Sequence, residues 1–201
     1  LAKEKDFDCR VLPGFRPDKA LGIELPGFAE YIKKLGESAG VEIKSYKDVI
    51  SALLARIDFF NAAGCRVSDH AFSYMPYVQD SEEQIEVSFE RAMSGEKISQ
   101  RDADAYKTAV MQALGEKYHS LGWAMEIHIG AMRNNNSKMF AALGPDTGFD
   151  SVGDDKTAYM LSRFLDSLCS RDKLPKTVLF NLNSKDNIVL ATMLGNFQSS
   201  E

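Results

Sequence analysis

The 201-residue chain is 44% hydrophobic and 26% charged, with a formal net charge of -5, which is typical of a soluble single-domain α/β protein. The negative charge argues against nucleic acid or an anionic membrane as a partner, and no apolar run is long enough to cross a bilayer. The three cysteines lack metal-type spacing, so we expect buried thiols in a cytoplasmic protein.

Four short hydrophobic segments are predicted to be β-strands. Polar side chains follow each of them, and they occupy residues 9–12, 65–68, 125–129 and 177–182. Segments with helical spacing lie between and after these strands, at residues 28–35, 46–63, 82–93, 100–121, 157–171 and 185–194. Residues 137–155 are rich in Gly, Asp and Ser and are predicted to form a long loop with one helical turn at 138–143.

The repeated order of strand and helix predicts an α/β fold with consecutive parallel strands and right-handed crossovers. Four successive β/α units are about half of a (β/α)8 TIM-type barrel. We therefore expect a single partial barrel domain over residues 1–201, with a long helical insertion at about 81–121; a small, complete open sheet is the alternative. Neither GxGxxG nor GxxxxGK[ST] occurs, which argues against a nucleotide-binding fold.

The first two strands are followed by side chains that suit a binding site, because α/β proteins collect their chemistry at the carboxyl ends of parallel strands. Arg16 has a planar guanidinium that matches a carboxylate; a surface ion pair with Asp18 is the alternative. His70 has the chemistry of a metal ligand or a general acid–base, or else is a packed histidine. Asp69 is its neighbour in an extended segment, so the two side chains are expected on opposite faces.

The segment GWAMEIHIGAMRNNN, residues 122–136, contains the third strand and a polar loop. Strand alternation places Glu126 and His128 on one face and two isoleucines on the other, which favours His128 as a ligand-facing residue. Arg133 and Asn134 follow the strand and suit recognition of an anion or a hydroxyl group; an asparagine-rich turn is the alternative.

Two further expectations concern Trp123 and the histidines. Trp123, just before the third strand, is predicted to be a packing anchor. His70 and His128 are the imidazoles associated with strands, and the sequence contains no H-x-H. We therefore expect no complete metal site within this chain.

Four segments appear in the order VLPGFRPDKA, RVSDHAF, GWAMEIHIGAMRNNNSKMF and LPKTVLFNLNSKDN. Together they resemble the uronate isomerases, which are divergent members of the amidohydrolase superfamily with a (β/α)8 barrel. The pattern WxMxIHIGxxRNNN is the most specific part of the resemblance, which covers residues 10–198. The family is more than twice as long, and the resemblance implies that this chain is its middle part, from the fourth to the seventh barrel strand.

The resemblance implies an enzyme of hexuronate catabolism that isomerises D-glucuronate to D-fructuronate and D-galacturonate to D-tagaturonate. It implies catalytic roles for His70 and His128 near a divalent metal, and substrate-binding roles for Arg16, Arg133 and Asn134. In the family, the metal (zinc or manganese) is held by an H-x-H and an aspartate. This chain has no counterpart of those residues, so we expect this piece alone to be inactive and to bind no metal. A hexuronate is the implied partner, and assembly into a homo-oligomer is left open.

Two alternative hypotheses make different predictions. A metal-dependent hydrolase of the same superfamily would cleave an ester, an amide or a lactone, and an assay of the full-length protein on uronates distinguishes it. A non-catalytic α/β binding domain would fold stably by itself, with no response of its unfolding to divalent metal or glucuronate.

Overall fold

Helices and strands alternate through residues 9–198, the part of the chain that the computed structural model describes. The strands are β1 (Val67–Phe72), β2 (Ala124–Ile129), β3 (Ala131–Met132), β4 (Ser151–Val152) and β5 (Lys176–Asn181). The helices are α1 (Asp18–Leu21), α2 (Phe28–Ala39), α3 (Tyr46–Ala62), α4 (Glu82–Met93), α5 (Gln100–Ser120), α6 (Ser137–Leu143), α7 (Ala158–Cys169) and α8 (Asn187–Leu194), with a 3-10 turn at Ser184–Asp186.

A parallel sheet in the order β1-β2-β5 organises the fold. Helices connect its successive strands, since α4 and α5 lie between β1 and β2, and α7 lies between β2 and β5. Parallel neighbours that are joined by helical crossovers are the arrangement that the alternating sequence pattern predicts. The α/β class with a parallel sheet is therefore confirmed.

The predicted strand at residues 9–12 is wrong. In the described segment 9–17, Phe15 alone pairs with the sheet, through a single parallel bridge to Ser68. There the Phe15 N–H donates to the Val67 carbonyl at 3.1 Å. Pro13 has no backbone N–H, so the hydrophobic segment before it does not continue as a ladder of hydrogen bonds.

The other three predicted strands form, with shifted ends. β1 starts two residues later than expected and runs on to Phe72, so it includes the Asp69–His70 pair that we had placed after the strand. β2 starts one residue earlier than predicted, and both ends of β5 lie one residue earlier than predicted. In the described residues, the parallel sheet therefore has three strands and a one-residue bridge, where four strands were predicted.

The side of the sheet that faces the helices is mostly apolar. Met125, Ile127 and Ile129 alternate onto this side of β2, and all three are buried. Buried residues of α5 and α7 belong to the same hydrophobic core. Because helices close this face, most polar side chains of the strands lie on the opposite face; Ser68 and His70 of β1 are buried exceptions on the helix side.

Trp123 anchors the core just before β2. Its side chain is fully buried, and its ring stacks on Tyr118 with centroids 5.7 Å apart. Its Nε1–H donates to the Asn61 Oδ1 of α3 at 3.0 Å, so the polar edge of the buried indole is satisfied. The prediction of a packing role is confirmed.

Replacing Trp123 by alanine is expected to lower the free energy of unfolding by about 3–5 kcal/mol, the usual cost of emptying a large aromatic site. Urea unfolding followed by far-UV circular dichroism measures this change. Val87→Ala is the matched control, because Val87 is exposed on α4 and its loss is expected to cost no more than about 0.5 kcal/mol. Equal effects of the two substitutions would contradict the packing role of Trp123.

The helix ends follow side-chain caps that are visible in the sequence. Three predicted caps accept a hydrogen bond from the backbone N–H three residues further on: Ser45, Ser81 and Ser99. By contrast, α2 does not end at Gly36, as its spacing suggested, but continues to Gly40, whose φ of 67° ends the helix. Gly36 serves packing instead, since a Cβ there would lie 2.7 Å from the Val41 carbonyl oxygen.

The region predicted as a long loop, residues 137–155, contains more regular structure than expected. It holds the whole of α6, and β4 pairs antiparallel with β3 just after the end of β2. The short β3–β4 ribbon fixes the loop close to the carboxyl end of the central strand. We call residues 130–155 the ribbon loop.

The burial of the cysteines differs from the expectation of three buried thiols. All three cysteines are free; Cys65 is buried, whereas Cys9 and Cys169 are exposed, so the prediction of buried thiols is wrong for those two.

Among residues 9–198, no helix has both the length and the apolar character that a membrane crossing requires.

Candidate active site

Polar side chains gather on the face of the sheet opposite the apolar core. The register pairs Asp69 of β1 with Glu126 of β2, and Ala71 with His128. Side chains alternate along each strand, so Asp69, Glu126 and His128 share the face that the buried isoleucines avoid. The predicted placement of Glu126 and His128 on one face is confirmed.

The imidazole of His128 is oriented by the two neighbouring strands. Its ring lies parallel to that of Phe180 in β5, with centroids 4.4 Å apart. Its Nε2 lies 3.2 Å from Asp69 Oδ1 in β1, and 44% of the side chain is exposed. His128 therefore presents a fixed and partly exposed imidazole, as a proton-transfer group or a metal ligand requires.

Asp69, Glu126 and His128 fit a divalent metal ion. One potential ligand atom from each lies within 4.8 Å of the other two. Asp69 Oδ1 is buried, faces His128 Nε2 at 3.2 Å and has no other hydrogen-bond partner among residues 9–198, which leaves it a lone pair for a metal ion. Two carboxylates and an imidazole are ligands of catalytic transition-metal sites, which leave a position open for substrate.

Arg16 lies beside this cluster and is held by two carboxylates. Its Nε donates to Asp18 Oδ2 at 3.0 Å, and its Nη1 donates to Asp69 Oδ2 at 2.9 Å. Burial acts to lower the pKa of Arg16, but the hydrogen bonds and charges of the two aspartates outweigh it and raise that pKa. Nη2 has no hydrogen-bond partner within residues 9–198, and half of the side chain is exposed, so donors are free for an external anion.

A cavity of about 720 Å³ opens at the carboxyl ends of the strands. Its volume lies within the roughly 300–1,000 Å³ range of small-molecule sites. His128, Arg133 and Asn134 line it, as predicted site residues would. Arg16 lines a neighbouring pocket of about 290 Å³. It donates a hydrogen bond to Asp18, and Asp18 lines the larger cavity.

Arg133 and Asn134 also hold the ribbon loop together. The Nη1 of Arg133 donates to Asp150 Oδ2 at 2.8 Å, and the backbone N–H of Asn134 donates to Asp150 Oδ1 at 2.9 Å. Asn134 has a φ of 55°, a left-handed conformation that asparagine tolerates. The asparagine turn that we considered as an alternative is thus present, on the wall of the cavity.

The helices supply a polar wall that the sequence analysis missed. Lys107 of α5 forms an ion pair with Glu24, and both line the cavity. On the same wall, the Tyr74 hydroxyl donates to Asp104 Oδ1 at 2.9 Å. Burial, and then that hydrogen bond, raise the pKa of Tyr74 well above its ordinary value, so it remains a donor. The sequence analysis assigned no site residues to the helical insertion, because Asp104 and Lys107 belong to no local motif.

His70 does not join the predicted site. It lies in the middle of β1, is fully buried and faces α5, where its Nε2 is 3.3 Å from the Tyr118 hydroxyl oxygen. Alternation turns it away from Asp69, so the predicted opposite faces of these two residues are confirmed. The expectation that His70 lines the barrel interior near a metal does not match this position, because β1 extends further than the sequence suggested.

Asp69 is the main residue that the sequence analysis overlooked. It contacts both Arg16 and His128, and so connects the two groups predicted to act on substrate. The signal was present, because alternation already set Asp69 opposite His70; the error was to choose the imidazole as the pocket residue. The resulting cluster combines a cation, carboxylates and an imidazole, which suits binding a small polar anion and transferring protons.

Comparison with known proteins identifies the relatives of the chain. A family model described as glucuronate isomerase matches residues 1–201. The uronate isomerase of Caldanaerobacter subterraneus subsp. tengcongensis is 50% identical over 201 residues, which are 100% of this chain and 43% of that protein. The uronate isomerase of Clostridium acetobutylicum is 49% identical with the same coverage. The chain therefore spans less than half the length of these curated relatives.

Solved structures agree with these sequence matches. The crystal structure of uronate isomerase from Thermotoga maritima superimposes with a TM-score of 0.91 at 31% identity, covering 98% of this chain and 43% of that one. A glucuronate isomerase structure from Caulobacter crescentus gives a TM-score of 0.78 at 23% identity, covering 88% of this chain and 36% of that one. The second similarity supports the fold alone.

Proposed function

The chain belongs to the glucuronate isomerase family, and from this membership we propose that the full-length protein that contains it is a uronate isomerase. The proposed reactions convert D-glucuronate to D-fructuronate and D-galacturonate to D-tagaturonate. One observation carries the proposal: Asp69 contacts both Arg16 and His128 on one face of a parallel sheet, next to a cavity of suitable size that His128 lines.

The proposed reaction is an internal oxidation–reduction of the open-chain sugar. A hydrogen leaves C2 and is delivered to C1, and a proton moves from the C2 oxygen to the C1 oxygen. C1 is thereby reduced from aldehyde to alcohol while C2 is oxidised to a ketone, so no external oxidant is needed. This chemistry requires a group that accepts and returns a proton, and a site that polarises the carbonyl oxygen.

We propose that His128 takes part in this proton transfer. Its Nε2 lies beside the carboxylate of Asp69, which can orient the ring and stabilise a protonated imidazole. Stacking on Phe180 keeps the ring in one plane. The exposed fraction of His128 leaves room for substrate at the cavity mouth.

We propose that Arg16 binds the carboxylate of the hexuronate, with Arg133 and Asn134 binding its hydroxyl groups. The Nη2 of Arg16, which has no partner among residues 9–198, supports this role, because a planar guanidinium binds a carboxylate with charge-assisted hydrogen bonds. Arg133 is already paired with Asp150, so it is better suited to hydroxyl oxygens than to a full negative charge.

The family resemblance also implies a divalent metal, for which we propose zinc or manganese. Within this chain, the carboxylates of Asp69 and Glu126 would contribute ligands, which leaves the neighbouring His128 free for proton transfer. When bound, the ion would supply Lewis-acid polarisation of the carbonyl oxygen. We further propose that the described sheet is about half of a (β/α)8 barrel and that other parts of the full-length protein complete it.

A turnover assay tests the proposed function. The full-length protein, loaded with Zn²⁺ or Mn²⁺, is incubated with D-glucuronate or D-galacturonate and followed by ¹³C NMR. We expect the C1 aldehyde and hemiacetal signals to be replaced by ketose signals. Hydrolysis of a uronolactone without any ketose formation would indicate a metal-dependent hydrolase and would overturn the proposal.

A further inference from the structure

A buried contact links His70 to Asp18. The Nδ1 of His70 lies 3.4 Å from Asp18 Oδ1, and both atoms are buried without a hydrogen-bond partner in residues 9–198. Buried polar atoms are rarely left unpaired, so these two atoms face each other as a slightly long donor–acceptor pair.

The neighbour of the second ring nitrogen, Nε2, indicates which nitrogen of His70 carries the proton. Burial raises the pKa of Tyr118 well above its ordinary value, so its hydroxyl keeps its proton. That hydroxyl lies 3.3 Å from the Nε2 of His70 and can donate to it. The remaining proton of a neutral imidazole is then on Nδ1, directed at Asp18.

Asp18 also contacts Arg16, and so connects His70 with the active-site cluster. Its second oxygen, Oδ2, accepts hydrogen bonds from the Ala71 N–H at 3.1 Å and from the Arg16 Nε at 3.0 Å. The carboxylate is therefore held on both oxygens, one towards the core and one towards Arg16. His70 thus contacts Asp18, Asp18 accepts a hydrogen bond from Arg16, and Arg16 donates to Asp69 on the other face of β1.

We infer that His70 is a positioning residue, which fixes Asp18 so that Arg16 is aimed at the substrate carboxylate. The inference rests on the proposed uronate isomerase function. It gives His70 a role that does not require contact with substrate or metal. It also explains why a fully buried strand position carries an imidazole where its neighbours on the same face of the sheet are mostly apolar.

Two substitutions in the full-length enzyme separate positioning from simple packing. In His70→Asn the amide nitrogen reaches the position of Nδ1 and keeps a donor towards Asp18. In His70→Gln the amide reaches the position of Nε2, so the contact with Asp18 is lost. We expect His70→Gln to raise KM for glucuronate about tenfold more than His70→Asn does, with a smaller difference in kcat. Unfolding midpoints should fall by similar amounts, because both replace the same buried ring with an amide.

Equal KM values for the two variants would overturn the positioning role. If neither variant folds, Asp18→Ala serves instead, because Asp18 is partly exposed. A KM raised about tenfold or more would support the inference, and an unchanged KM would overturn it. The wild-type enzyme reports separately on the proposed function: no turnover of either uronate would overturn both, whereas normal turnover with equal variants would overturn the positioning role alone.

Discussion

Substitution of His128 by glutamine in the full-length protein is expected to lower kcat/KM for glucuronate by about 10²–10⁴-fold, the usual contribution of a general acid–base. Glutamine preserves much of the side-chain length but cannot exchange a proton near neutral pH. The unfolding midpoint is expected to change little, because the side chain is 44% exposed and is not part of the buried core. Steady-state turnover and thermal unfolding of the same preparation measure both quantities.

His119→Gln is the matched control for this substitution. His119 lies in the last turn of α5, and its ring contacts the carbonyl oxygen of Leu174, just before β5, so it lies at the end of the sheet opposite the cavity. We expect it to leave kcat/KM within about twofold of the wild type, as a surface substitution away from the site should. If His128→Gln instead reduced the amount of folded protein but left the specific activity of that fraction intact, His128 would be a structural residue.

Substitution of Arg16 by alanine is expected to weaken glucuronate binding by about 10–100-fold, which corresponds to roughly 1.5–3 kcal/mol for hydrogen bonds to a charged group. A neutral hexose of the same configuration is expected to lose much less, because it has no carboxylate for the guanidinium to bind. Inhibition constants of the acid and the neutral sugar against the same enzyme measure the difference. The ratio of the two effects is the informative quantity, since Arg16 also holds Asp18 and Asp69 in place.

Arg66→Ala is a suitable control for the loss of an arginine. Arg66 immediately precedes β1, at the opposite end of the strand from the cavity, and its Nη1 donates to the Asn61 carbonyl and side-chain oxygens. It is expected to affect the acid and the neutral sugar equally and weakly. Equal weakening of both ligands by Arg16→Ala would rule out carboxylate binding as the role of Arg16.

The sequence was sufficient to predict features that depend on local periodicity. Alternation in β2 correctly assigned Glu126 and His128 to one face, because a strand exposes side chains with a period of two whatever its neighbours are. Serine caps predicted the starts of three helices, because a cap is formed within four residues. The packing role of Trp123 followed from its size and its place beside a buried strand.

Features that depend on contacts between distant residues were not predictable in the same way. The Asp69–His70 pair is polar and was therefore placed after its strand, whereas β1 continues through it. His70 is tolerated in the core because Tyr118, 48 residues away, approaches its Nε2. The Lys107–Glu24 pair on the cavity wall joins residues 83 positions apart, and no periodicity or motif reports such a contact.

The failed strand at residues 9–12 has a different cause. Its hydrophobic composition suits a strand, but strand formation at a sheet edge depends on where the neighbouring strand ends and on the backbone donors that are available. Pro13 supplies no donor, and only Phe15 reaches β1. Hydrophobic composition predicted that the chain near residues 9–12 approaches the sheet. It could not predict that the contact with β1 would be made by Phe15 instead.

A crystal structure of the full-length protein with bound D-glucuronate tests the central claim most directly. That claim is that the carboxyl ends of the parallel strands bring Arg16, Asp69 and His128 to a single hexuronate site. We predict the sugar carboxylate within about 2.7–3.2 Å of the Arg16 guanidinium, with C1 and C2 facing His128. Glucuronate bound away from these strand ends, or Arg16 and His128 separated on opposite rims of a completed barrel, would contradict it.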